Sequence, residues 1–267
     1  MEKGYDVTAF SRKPFRCCRY ISGDARDVEK LTGVLTKGRY DAVINCIGLL
    51  NRFAEEHPAE AVYLNSYLPH QIADILKDSI TKLIQLSTDC VFAGNTGPYD
   101  EDTRKDGRTF YDCTKALGEV DDEKNLTFRN SIIGPDINPQ GIGLFNWFMQ
   151  QTGTILGYRG AIWTGVTTLT LAQAIERAIQ ENLCGIYHLV NNESISKFQL
   201  LTLFNRYFRN NEVKIIPDDE FRLDKSLRNN RKDFSFQVPP YEQMVKEMKE
   251  WVDAHSEFYS YDLRKIK

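Results

Sequence analysis

The sequence predicts an α/β protein: a doubly wound parallel sheet with helices on both faces, followed by a smaller C-terminal lobe. Three observations predict it. Short apolar runs alternate with helix-length segments through the first half of the chain, the pattern of parallel strands covered on both sides. A Gly/Pro/Asn-rich break over residues 135–143 separates that half from a less regular one. The length, 267 residues, suits one large domain or a main domain with a lobe. The expected division is 1–134 for the main domain and 135–267 for the lobe, with some later segments returning to the main sheet.

Taken in order, Tyr5-Asp6-Val7-Thr8-Ala9-Phe10 reads as a strand and residues 18–21 as a short second one. A helix follows over 26–36. Asp41-Ala42-Val43-Ile44-Asn45-Cys46 is a buried strand ending in Gly48. Residues 58–77 read as one long helix, with Pro58 at its start, where proline is tolerated. Residues 81–86 form the next strand, 107–123 hold a helix, and 126–133 form another strand. In the second half, 144–151 is a short aromatic helix. Residues 162–168 are strand-like, 169–180 helical and 185–190 a strand. Residues 196–208 are helical, with Ser194 or Ser196 as cap. Residues 213–216 form a strand before Pro217, and 241–255 an amphipathic helix. No internal repeat and no low-complexity tract interrupts the series.

Composition narrows the function. Hydrophobic residues make up 42% and charged residues 27%, ordinary for a globular protein. The net charge of −3 gives no polyanion-binding surface, so nucleic acid is not an expected partner. No apolar run approaches the roughly 20 residues that span a bilayer, and Met1-Glu2-Lys3-Gly4 opens no signal peptide. The expectation is a cytoplasmic protein with no membrane partner. The six cysteines, Cys17, Cys18, Cys46, Cys90, Cys113 and Cys184, make no C-x-x-C pair and read as reduced, mostly packed thiols. No metal site is expected, since the histidines offer no ligand spacing near them.

The chemistry-bearing pattern is Tyr111 with Lys115. Spaced four apart on a helix, they sit one turn apart and point the same way. A nearby ammonium favours phenolate and would lower the tyrosine from about 10 toward working pH. Such a tyrosine can pass a proton to or from a carbonyl or alcohol oxygen. Alone, the spacing also describes an ordinary helix-surface pair. It gains weight from Ser87-Thr88-Asp89, a hydroxyl-bearing turn straight after the apolar run Leu83-Ile84-Gln85-Leu86. Such a turn can equally be a plain strand end. Together they form an arrangement for holding a carbonyl.

With those residues in place, the chain resembles the extended short-chain dehydrogenase/reductases, which carry a Rossmann-like domain, and among them the dTDP-4-dehydrorhamnose reductase-like group of sugar-nucleotide reductases. The resemblance rests on Ser87-Thr88-Asp89-Cys90-Val91-Phe92, on Gly97-Pro98-Tyr99-Asp100-Glu101 and on Tyr111-x-x-x-Lys115-x-x-Gly118-Glu119. Asn45-Cys46-Ile47-Gly48 fits the strand-end loop beside the cofactor, and Asn65 the helix asparagine that supports the active site. Trp163-x-Gly165-x-Thr167, Gly185-Ile186-Tyr187-His188-Leu189 and Ile195-Ser196 fit segments of the substrate lobe. The resemblance implies roles. Tyr111 would protonate a sugar ketone oxygen, Thr88 would hydrogen-bond the same oxygen, and Asp89 would support it. Lys115 would tune Tyr111 and hold the nicotinamide ribose. Cys46, Gly48 and Asn65 would border the cofactor, and Phe92, Trp163 and Thr167 the substrate.

The same resemblance implies a first strand and a Gly-x-x-Gly-x-x-Gly turn that this chain does not show, because residues 5–10 match the family's second strand. A missed upstream start, a shortened sequence or a true truncation would each account for that; the first two are the favoured expectation. What remains of the cofactor site is Ser11-Arg12-Lys13, whose basic residues suit the 2′-phosphate of NADP, and Gly23-Asp24-Ala25, where an acid would lie near the adenine. NADP is therefore expected, with NAD the alternative. Each also has a plainer explanation: Arg12 and Lys13 as solvated charges, Asp24 as a helix cap. Trp147, Phe148 and Trp163 can be lobe core, although Trp163 could stack on a sugar or base. The four histidines read as structural or exposed. The basic run Arg222, Lys225, Ser226, Arg228 and Arg231 reads as a loop, either solvated or clamping a diphosphate, with Arg222 and Arg231 the expected substrate contacts.

The expected function is NAD(P)H-dependent reduction of a nucleotide-activated 4-keto-6-deoxy sugar in surface polysaccharide synthesis. A homodimer is in keeping with the family. Two rivals stand beside it. One is an epimerase or 4,6-dehydratase of the same family, although Cys90 occupies the position of the glutamate usual in dehydratases. The other is a non-catalytic subunit resembling the regulator of methionine adenosyltransferase.

Overall fold

The computed structural model describes residues 3–15, 17–259 and 261; Met1-Glu2, part of the signal-peptide argument, lies outside them. Four parallel strands form the main sheet in the order β3 (Ala42–Asn45), β4 (Lys82–Leu86), β5 (Leu126–Arg129) and β9 (Gly185–His188). β5 is buried throughout and β4 nearly so, as strands with neighbours on both sides must be. β1 (Thr8–Ser11) and β2 (Arg19–Ser22) pair in parallel as a separate ladder. β9 follows the lobe segments in sequence yet returns to pair with β5.

Helices cover both faces. α1 (Val28–Lys37) is capped by Asp27, whose carboxylate accepts from the Lys30 amide. The segment 58–76, expected as one helix, is a composite. α3 (Pro58–Ala61) and α4 (Leu68–Leu76) flank a π-helical stretch, Val62–Tyr67. Pro69 explains the widening: it has no N–H for the Asn65 carbonyl four residues back, so the α-helical ladder breaks there. α2 (Asn51–Glu56) precedes this composite. α5 (Phe110–Leu117), which carries Tyr111 and Lys115, is shorter than the expected 107–123. Thr109 and Asp112 close a capping box at its start, and Gly118 ends it.

The lobe is built on β10 (Ile195–Ser196), β7 (Thr154–Trp163) and β11 (Lys214–Asp224), in that order. β7 begins well before the strand expected at 162. β11 runs through Pro217, which an edge strand tolerates because the missing N–H can face away from its neighbour. Arg222 therefore lies in a strand, not the expected loop. The expected strand over 126–133 divides into β5 and β6 (Ile132–Ile133), the latter pairing with β8 (Val166–Thr167). α7 (Thr168–Gln180), α8 (Lys197–Phe208) and α9 (Tyr241–Ala254) surround the lobe, with α6 (Leu144–Met149) beside them. The larger core cluster joins Ile84, Leu126 and Phe128 of the sheet to Trp163, Phe204 and Met248. Phe148 is fully buried in it, whereas Trp147 is 41% exposed and so is not the core residue expected.

One polar group ties sheet to site. Glu119 accepts from Ser87 Oγ at 2.6 Å, from Arg129 Nε at 2.8 Å and Nη2 at 2.7 Å, and from Lys105 Nζ at 3.0 Å. Arg129 Nη1 donates to His188 Nε2 at 2.8 Å, which fixes the proton on Nδ1, 2.9 Å from the Arg228 carbonyl. Burial, then the Arg129 charge, pushes the His188 pKa down to about 4.

A neutral histidine depressed this far stabilises the fold above its unfolded value near 6.5; that contribution is lost as pH falls toward 4, by up to about 3 kcal/mol. Urea midpoints at pH 7.5 and 5 should therefore drop more steeply in the wild type than in His188→Gln. A second outcome concerns Gly118. A Cβ there would lie 1.8 Å from the Asn65 carbonyl oxygen, so Gly118→Ala should destabilise by about 1–3 kcal/mol in thermal unfolding.

Candidate active site

β4 ends at Leu86 and delivers Ser87-Thr88-Asp89 to the carboxyl edge of the sheet, where open α/β sheets bind ligands. Thr88 caps a short 3₁₀ turn, Asp89–Val91: its Oγ1 accepts from the Cys90 amide at 3.1 Å and donates to Asp89 Oδ1 at 3.0 Å. Tyr111, 7% exposed, lies close enough for Thr88 to hydrogen-bond its hydroxyl. Lys115 Nζ donates to the Leu86 carbonyl at 2.7 Å. The structure thus brings Thr88, Asp89, Tyr111 and Lys115 together.

Their electrostatics differ from the sequence argument. Burial, followed by the neighbouring Cys90, pushes the Tyr111 pKa up, and Lys115 is not among the charges that act on it. Burial lowers Lys115 itself to about 8, against the pull of Glu119. Tyr111 is therefore a protonated acid at working pH, and Lys115 is the group that titrates near it. Cys90, beside Tyr111, is pushed up to about 12 by burial and stays a thiol. All six cysteines are free; Cys46 and Cys113 are exposed, and so are less packed than expected.

Asn65 is fully buried in the π stretch. Its Oδ1 accepts from the Leu49 amide at 2.8 Å, while Nδ2 donates to the Leu49 carbonyl at 3.0 Å and to Thr114 Oγ1 at 3.1 Å. It ties the loop after β3 to α5. A Cβ on Gly48 would come within 3.1 Å of that Oδ1 and 4.0 Å of Lys115 Nζ, so glycine keeps this cradle open. Cys46 borders the same loop and lies in the field of Lys115.

A cleft of about 80 Å³ continues past Ile47, lined also by Phe10, Arg12, Asp24, Ala25 and Leu64. Asp24 does not cap α1, since Asp27 does. Instead it holds Arg26 through two guanidinium contacts, which lower its pKa to about 2. Arg12 faces the cleft; Lys13 is exposed and offers its carbonyl to Ser11 Oγ.

The expected substrate residues fare differently. Phe92 is fully buried, stacked on Tyr99 at 4.3 Å with Arg129 over its ring. Thr167 is fully buried and caps α7. Trp163 packs against Tyr241. Arg231 donates to the Cys184 and Ile186 carbonyls, toward the opening end of β9, and pairs with Asp233. That end lies opposite the catalytic edge of a parallel sheet, so Arg231 is a structural tie and not a clamp. Arg222 sits on the exposed lobe strand opposite Gly160. Of the basic run, Lys225 reaches the site, 3.8 Å from Asp112. Sequence reasoning singled out neither Glu119 as the hub nor Lys197, whose ammonium sits 5.8 Å from the centre of the Trp163 ring. The cue for the first was a lone acid after the helix-ending Gly118; for the second there was none.

Among the described residues no group of three or more His, Cys, Asp or Glu could hold a metal, and no helix is long and apolar enough to cross a membrane. Comparison with known proteins now adds to the geometry. Residues 1–131 match the family described as RmlD substrate binding domain. A dTDP-4-dehydrorhamnose reductase of Streptomyces griseus is 37% identical over 98 residues, which span 36% of this chain and 32% of that protein. The solved dTDP-4-dehydrorhamnose reductase of Bacillus anthracis in complex with NADP shares the fold, with a TM-score of 0.75, 21% identity and coverage of 87% of this chain and 89% of that one. So does the Bordetella bronchiseptica enzyme WbmG in complex with NAD and UDP, with a TM-score of 0.75, 14% identity and coverage of 97% and 89%. The family match lies in the first half of the chain, and the fold is shared with dTDP-4-dehydrorhamnose reductases over most of it: the chain is similar to that family.

Proposed function

We propose that this chain reduces the 4-keto group of a nucleotide-activated 6-deoxy sugar with a nicotinamide cofactor, NADPH in preference to NADH, in the supply of sugars for surface polysaccharide. The observation that carries the reading is the convergence of Thr88, Tyr111 and Lys115 at the end of β4, with Tyr111 held protonated by burial. The names of the similar proteins support the substrate class, and the NADP of the Bacillus anthracis structure supports the cofactor.

The residues present fit a dinucleotide. The cradle at Gly48, which a Cβ would narrow, follows directly on Ile47, which borders the cleft of Arg12, Asp24 and Ala25. Arg12 would meet a 2′-phosphate, Lys115 a ribose hydroxyl, and Cys46 and Asn65 would border the nicotinamide end. When bound, the nicotinamide supplies hydride. The chain does the rest. Thr88 turns its hydroxyl from Asp89 to the ketone oxygen, and Tyr111 donates its proton to that oxygen. Lys115, anchored on the Leu86 carbonyl, places a positive charge beside the developing alkoxide. Asp89 holds Thr88 until substrate arrives. The nucleotide-sugar is the ligand and a second copy the partner this reading favours. Tyr67 and Leu117, exposed on adjoining helical segments, are apolar residues such a contact would cover.

The first test is titration of the chain with NADPH and NADH by calorimetry, then an assay with dTDP-4-keto-6-deoxyglucose. Binding of neither cofactor, or no turnover, sinks the reading and favours a regulatory role. In an active chain Tyr111→Phe should lower kcat by about 10²–10⁴-fold while leaving the thermal midpoint nearly unchanged. Activity should decline as pH rises through about 8, where Lys115 loses its proton, and Lys115→Arg should move that limb upward.

A further inference from the structure

Lys197 opens α8 directly after its cap, Ser196. Its ammonium sits 5.8 Å from the centre of the Trp163 ring and lies in the fields of Asp89 and Cys90, the residues that follow Thr88. A lobe side chain therefore sets its charge in the neighbourhood of the turn that carries Thr88. The other cations around that turn are engaged. Lys115 is on the Leu86 carbonyl, Lys105 on Glu119 and the Ala116 carbonyl, and Lys225 lies 3.8 Å from Asp112. Among the described residues, Lys197 Nζ has no hydrogen-bond acceptor and no carboxylate within 4.0 Å. Asp89, whose field the ammonium feels, lies beyond ion-pair distance.

A half-buried ammonium without an acceptor is costly, and an aromatic face offsets only part of that cost. An anionic oxygen brought by a ligand would complete it, through a charge-assisted hydrogen bond in a partly desolvated cleft. Lys197 does not line the cleft that Arg12 and Asp24 border.

We propose that Lys197 is a specificity-determining residue that binds an anionic oxygen of the substrate next to the reacting carbonyl. This rests on reading the cleft as a sugar-nucleotide site. The oxygen belongs either to the diphosphate folded over the sugar or to a carboxylate on the sugar itself, and the test separates the two.

UDP, dTDP, UDP-glucose and UDP-glucuronate are titrated calorimetrically into the wild-type chain, Lys197→Met and Lys197→Arg, with thermal midpoints confirming that each variant folds. If the diphosphate is the source, Lys197→Met weakens every ligand that the wild type binds by about tenfold or more, and Lys197→Arg restores much of it. If a sugar carboxylate is the source, only UDP-glucuronate weakens. Binding by Lys197→Met within about twofold of wild type for all ligands overturns the proposal, as does a wild-type chain that binds none of them. The two readings fail separately. Cofactor binding and turnover that persist with an unaffected Lys197→Met remove the role of Lys197 alone. Lys197-dependent nucleotide binding without cofactor binding removes the reductase alone.

Discussion

The carboxylate of Glu119 is the constraint on which the site depends. Its side chain is 1% exposed and faces that of Arg129 at 2%. Both oxygens are saturated by Ser87, Arg129 and Lys105, so the charge is compensated where it is buried. Removing one partner of such a pair typically costs about 3–5 kcal/mol, because the other is left charged and alone. The pair joins the end of β4, the exit of α5, β5 and, through His188, β9. It therefore fixes Ser87, and with it the direction in which Thr88 leaves the strand.

A second constraint works through backbone packing. Pro69 denies the Asn65 carbonyl its α-helical partner, and the π stretch turns Asn65 inward with its side chain free for the Leu49 loop and Thr114. Gly118 passes so close to that carbonyl that no side chain fits. The close approach brings α5 against the π stretch, and Lys115 reaches the Leu86 carbonyl from there. The clasp at Tyr99 adds to this: its amide and carbonyl pair with Ser226 and Arg228, and Glu101 accepts from the His188 and Asn230 amides. The Gly97-Pro98-Tyr99-Asp100-Glu101 motif thereby holds the lobe's return segment against the sheet.

Burial, more than the Tyr/Lys spacing, sets the acid-base character. Spacing on a helix face suggested that Lys115 lowers Tyr111. In the fold Lys115 turns to the strand end, and desolvation dominates both groups in opposite senses, raising the phenol and lowering the ammonium. The result still suits carbonyl reduction, with the proton on the tyrosine and the tunable charge on the lysine.

The sequence by itself determined the parallel sheet, the order of its helices and the cluster of Thr88, Asp89, Tyr111 and Lys115. Each of those is written in local pattern: apolar runs of strand length, caps, and a spacing that one helical turn enforces. Family resemblance pointed to Asn65, Gly48 and the Arg12–Asp24 region; in the fold Asn65 packs against Gly48, and Arg12 and Asp24 line a cleft that Ile47 borders. Only the tertiary structure decided the rest. Phe92 and Thr167 turned out to be packing and capping residues, and Arg231 a strand tie, because burial depends on what a distant segment lays over them. β11 absorbed Arg222 because strand length is set by its partner, β7, rather than by its own composition. Glu119, Arg129 and His188 sit on different elements and have meaning only as neighbours. No local periodicity records a charge whose partner lies on another strand.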